Sequence, residues 1–78
     1  MKERTIIIDC ETKEVYKELD RFIPTEGVFL YFNEKKERGC RMSKFRIDRM
    51  ETTIDDSNDE IIQEIRVINL GVVAEYRK

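Results

Sequence analysis

The sequence has no histidine and no tryptophan, and its 78 residues include one proline, two cysteines and three glycines. Without histidine, the side chain that most often moves protons near neutral pH is missing, which argues against an enzyme. Two cysteines, Cys10 and Cys40, are too few for a disulfide scaffold. They form no CxxC pair, and no histidine completes a ligand set, so neither a structural zinc nor any other cofactor is expected. Gly27, Gly39 and Gly71 are isolated, which leaves no glycine-rich phosphate loop and no nucleophile elbow. No apolar run approaches the roughly 20 residues that a bilayer-spanning helix needs. The N-terminal stretch offers only Ile6-Ile7-Ile8 as an apolar centre, too short for a signal peptide. An intracellular, cytoplasmic setting without a membrane partner is the expectation.

Charged residues make up 41% of the chain and hydrophobic residues 40%, with a net charge of −2. This is too apolar for a disordered chain. The length indicates one domain, residues 1–78. A domain of this size buries only about 60% of its unfolded surface, so a partner chain would be a useful support.

Arg4 to Asp9 reads as a strand because of its β-branched isoleucines. Thr12 resembles a helix N-cap, and Val15, Tyr16, Leu19, Phe22 and Ile23 follow helical spacing. Pro24 disfavours helix at Ile23, so the spacing predicts a helix ending near Phe22. Val28 to Phe32 is a second strand, and a third runs from about Cys40 to Ile54. Phe45 and Ile47 differ in parity from Met50, Thr52 and Ile54, which suggests a bulge near Asp48 or Arg49. The segment 57–70 is ambiguous. Ser57-Asn58-Asp59-Glu60 fits a capping box and favours a helix. Its isoleucines and Val67 favour a strand, with Asp56 to Asp59 as a hairpin turn. Val72 to Tyr76 closes the chain as a strand. The expected class is α+β, with helix packed on one face of an antiparallel sheet. The order is β-α-β-β-α-β (ferredoxin-like) or a β-α-β-β-β meander.

The chemistry-bearing stretch is a basic block that runs into an acidic one. Lys35, Lys36, Arg38, Arg41, Lys44, Arg46 and Arg49 precede Glu51, Asp55, Asp56, Asp59, Glu60 and Glu64. The basic block is a candidate nucleic-acid surface, with Phe29, Tyr31 and Phe45 as stacking platforms. Cys40 and Met42 occupy positions where an RNA-recognition strand carries aromatic or core residues, so that family is not assigned. Strict alternation also divides the block, placing Arg41 and Arg49 on one face and Lys44 and Arg46 on the other. The acidic element could neutralise it internally through exposed pairs worth about 0–1 kcal/mol each. Cys10 lies between Asp9 and Glu11, which oppose a reactive thiolate.

The favoured expectation is a non-enzymatic protein that works by protein–protein contact, as an inhibitor, adaptor or regulatory subunit. The first two strands are apolar on both faces, so a partner protein or a homodimer would cover what the chain itself cannot. Phe29, Tyr31, Phe45 and Ile47 are the candidate contact residues.

Overall fold

The computed structural model describes residues 1–77. Its elements are five strands: β1 (Lys2–Asp9), β2 (Val15–Leu19), β3 (Phe29–Lys36), β4 (Gly39–Asp55) and β5 (Glu60–Arg77). They form one sheet in the order β2-β1-β5-β4-β3. β1 runs parallel to β5, and the other neighbours are antiparallel. The sheet curls into a half-barrel with no helix on it, so the α+β expectation is overturned in both of its proposed orders.

The expected helix from Thr12 is instead a tight turn followed by β2. Asp9 Oδ1 accepts the backbone N–H groups of Glu11 and Thr12, each at 2.8 Å. Lys13 takes a positive φ of 66°, and Asp9 N donates to Glu14 O at 2.8 Å. The carboxylate thus closes a hairpin turn where a helix start was expected. The helix-like spacing of Val15, Tyr16 and Leu19 has a second cause. In the β1–β2 ladder Ile7 faces Lys17 and Ile8 faces Val15, which leaves Tyr16 as an extra residue. The resulting bulge aims Tyr16 at the concave face.

The ambiguous segment resolves as strand and hairpin. Asp55 Oδ1 accepts from Ser57 N at 3.1 Å and Oδ2 from Asn58 Nδ2 at 2.8 Å. These bonds build a turn over 56–59, with Asp59 at φ 52°. β4 and β5 then pair along nearly their whole lengths. An extended 18-residue strand would span about 59 Å. The longest dimension of the molecule is 47 Å, so bulges and curl shorten the ribbon.

A register break in β4 falls between Ile47 and Arg49 and leaves Asp48 unpaired, at the place its parity switch suggests. The consequence is functional geometry. Ile47 lies opposite Val67, Met50 opposite Ile65 and Thr52 opposite Gln63. The bulge therefore keeps Phe45, Ile47, Met50, Thr52 and Ile54 on the concave side despite their opposite parities.

Ile7, Phe45, Ile65 and Val67 form the buried core, with Tyr16, Ile23, Leu30, Phe32 and Ile47 packed around it. Each fully buried aliphatic side chain contributes about 1.5–3 kcal/mol by transfer from water. The segment 20–28 straps across this concave face. Thr5 Oγ1 donates to Arg21 O at 2.6 Å, Ile23 N donates to Gln63 Oε1 at 3.4 Å, and Ile47 N donates to Val28 O at 2.6 Å. Phe22 and Ile23, expected on a helix face, lie half-buried in this strap.

Candidate functional site

β3 pairs only with residues 39–46 of β4, and β1 pairs only with residues 60–67 of β5. The half of the sheet built from β3, the start of β4 and the end of β5 therefore lacks the strap and the second edge strand. Large apolar side chains are exposed there: Phe29, Tyr31, Leu70, Val72, Val73 and Tyr76, the last at 62%. This is the first candidate surface.

The register divides the expected contact set between the two faces. Leu30 lies opposite Phe45, whereas Phe29 lies opposite Arg46 and Tyr31 opposite Lys44. Phe45 is 3% exposed and belongs to the core, with Ile47 packed against it. Phe29 and Tyr31 stand exposed on the convex face. Lys44 Nζ lies 4.1 Å from the centre of the Phe29 ring and 5.8 Å from that of Tyr31. An exposed cation over an aromatic face adds about 0.5–1 kcal/mol.

The basic residues do not form one patch. Lys35, Lys36 and Arg38 cluster near the β3–β4 turn, where Gly39 has φ 121°. Lys36 pairs with Glu34 at 3.1 Å, and Arg41 pairs with Glu75 at 3.4 Å. Strict alternation separated Arg49 from Lys44 and Arg46. The Asp48 bulge corrects this and returns Arg49 to the convex side, opposite Arg66. There it meets Glu51 at 3.2 Å, and Arg66 bonds Glu64 at 2.9 Å. Glu51 and Glu64 come from the acidic block, so part of the expected internal neutralisation takes place. Among the described residues Lys44 and Arg46 make no ion pair.

A second surface is the concave cleft between β2 and β3, about 590 Å³, with Tyr16, Phe32, Phe45, Ser43 and Asn69 in its wall. The Tyr16 ring lies 4.8 Å from Phe45, and Phe32 lies 5.0 Å from Phe45 on the other side. The Tyr16 hydroxyl donates to Asp9 Oδ2 at 2.8 Å. The Thr12 N–H, the Tyr16 hydroxyl and the Glu11 N–H together draw the Asp9 carboxyl down to about 2. Burial and the bond to Asp9 push the Tyr16 phenol up. Both groups are thereby held in one protonation state, as a structural pair would be. The spacing of Tyr16 suits a helix, and only its bulge, invisible in spacing alone, shows its place here.

Burial raises the Cys10 thiol above its usual range, with Asp48, Asp9 and Glu11 adding to the effect. No three metal-ligating side chains converge among the described residues, and no helix is long and apolar enough to cross a membrane. No family model, curated protein or solved structure matches the chain.

Proposed function

We propose that the chain is a non-enzymatic binding protein that acts inside the cell by docking a protein partner on its uncovered half. The observation that carries this reading is the exposure of Phe29 and Tyr31 together on the convex face of that half, with Val72, opposite Ser43, exposed on the concave face behind them. A sheet without a second layer leaves such side chains in water, and contiguous exposed apolar surface marks interaction sites. The inhibitor, adaptor or regulatory role remains the form that this contact would take. An intracellular setting also suits two thiols that stand unpaired and half-buried.

The test is reconstitution. A partner captured from the native cell should bind the purified chain at micromolar Kd or tighter, and Tyr31→Glu should weaken it at least tenfold while far-UV circular dichroism is unchanged. A captured protein that fails to bind the purified chain, or binds the variant equally, overturns the reading.

Nucleic-acid binding keeps one specific observation in its favour. Lys44 and Arg46 share the convex face with Phe29 and Tyr31, an arrangement of cation and stacking ring that suits single strands. Single-stranded oligonucleotides should then shift at low salt, and Lys44→Glu with Arg46→Glu should abolish the shift. Absence of any shift at low salt removes this alternative.

A further inference from the structure

The half-length neighbours β1 and β3 leave two stretches of sheet edge open, one on β5 from Ile68 onward and one on β4 from Arg49 to Asp55. They differ in regularity. On β5, Gly71 faces Lys44 and Asn69 faces Phe45, so Leu70 is an extra residue, and Val73 is another between Val72 and Ala74. Bulges of this kind twist an edge away from further pairing. Residues 49–55 of β4 instead pair with 60–66 of β5 without a break. That edge carries no proline, and it presents unpaired backbone groups in an even row.

The sequence of this edge, Arg49-Met50-Glu51-Thr52-Thr53-Ile54-Asp55, is self-complementary when read against itself in the opposite direction. With Thr52 at the centre, Arg49 meets Asp55 of a second copy, Met50 meets Ile54, and Thr52 meets Thr52. Every contact but the central Thr52 pair, which lies on the axis, occurs twice, as a two-fold axis requires. Met50 is 42% exposed and Ile54 is 65% exposed, and both lie on the concave side, so the pairing would cover them. Neighbouring registers lose the match. Centring on Glu51 sets two carboxylates against each other, and centring on Thr53 sets Asp55 against Glu51. Like charges directly opposite are unfavourable, and unlike ones favour the register.

The length also fits. β3 is extended to Ile47 by the Val28 carbonyl, and the hairpin turn begins at Asp56, so the pairing segment lies between these limits. In the centred register the 56–59 turn of one copy reaches Gly27 and Val28 of the other, and Val28 is 54% exposed.

We propose that two copies of this chain join antiparallel through residues 49–55 of β4, with Thr52 of each opposite Thr52 of the other. The two half-barrels then share a continuous ten-stranded sheet. This inference rests on the protein-binding reading and names a second copy as the occupant of this edge. It leaves the Phe29–Tyr31 face free for another partner.

Sedimentation equilibrium at about 100 µM should give a dimer, and Ile54→Lys should give a monomer with an unchanged far-UV spectrum. A strictly monomeric wild type overturns the inference, while Tyr31-dependent binding of another protein would still uphold the broader reading. The register has its own test, which stands even if Ile54→Lys fails to fold. In a chain with Cys10→Ser and Cys40→Ser, Thr52→Cys places two thiols on directly opposed residues, about 4.5–5.5 Å apart at Cα. Mild oxidation should yield a covalent dimer at least tenfold faster than with Thr53→Cys, whose two copies are offset along the strands. Equal rates, or cross-linking by Thr53→Cys alone, overturn the register.

Discussion

The Tyr16 hydroxyl donates to one oxygen of Asp9 at 2.8 Å while the other oxygen holds the β1–β2 turn through Glu11 N and Thr12 N. One carboxylate therefore fixes both a backbone reversal and the ring that closes the core over Phe45. Because its pKa falls from 3.8 to about 2 on folding, ionised Asp9 favours the folded chain. That contribution is complete above the unfolded value and disappears as pH falls from about 4 to 2. Asp55, lowered by its bonds to Ser57 and Asn58, acts with the same sign. Urea unfolding across this range should show an acid-labile wild type. Asp9→Asn should be less stable at pH 7 and lose less on acidification. Tyr16→Phe should keep the ring contact and lower stability only modestly. An Asp9→Asn curve parallel to wild type from pH 5 to 2 would refute the assignment.

Core truncations should be severe for a chain whose total stability, at 78 residues, is on the order of 4–12 kcal/mol. Phe45→Ala should cost about 3–5 kcal/mol and Ile65→Val about 0.5–1.5 kcal/mol. Denaturant titration followed by tyrosine fluorescence checks both. Loss of the Phe45 ring also leaves Tyr16 and Phe32 without their common neighbour.

Gly71 has φ 91°, and a Cβ there would meet nothing within 4 Å. The cost of Gly71→Ala is therefore conformational, about 1–2 kcal/mol. Gly71→Asn should cost less because asparagine tolerates positive φ. Equal urea midpoints for the two variants would show that backbone conformation is not the cause.

The Cys10 thiol, raised by burial and by Asp48, Asp9 and Glu11, should alkylate slowly. Iodoacetamide at pH 8 should modify it well below the rate of a small free thiol, and Asp48→Asn should speed the reaction. Rapid modification in the folded state would contradict the burial.

Much of the strand content was legible in the residues themselves. Ile6-Ile7-Ile8, the second run from Val28 and the long run from Cys40 all lie in or beside observed strands. The β4 bulge was also legible, because a change of parity inside one apolar pattern has few other causes. In one segment the helix expectation fails, and 57–70 stays open between helix and strand, for the same physical reason. Asp9 with Thr12, and Asp55 with Ser57, place side-chain oxygens near backbone N–H groups in a way that serves a helix cap or a hairpin turn equally well. Tertiary pairing decides between them. For 57–70, β4 was present to pair with, and the β-branched composition prevailed. The division of the contact set was not legible, since placing Phe45 in the core and Phe29 outside needs the register.

The parallel pairing of β1 with β5 has a consequence in time. β1 leaves the ribosome first, and the strand that hydrogen-bonds along its inner side leaves last of the five. Until then Ile7 has neither Ile65 nor Val67 to pack on, and Ile6, Ile7 and Ile8 stand in a strand with an open edge. The β4–β5 hairpin can zip locally, but the core can close only when β1 meets residues 60–67 of β5. Closure across more than fifty intervening residues makes the folding step slow relative to a hairpin.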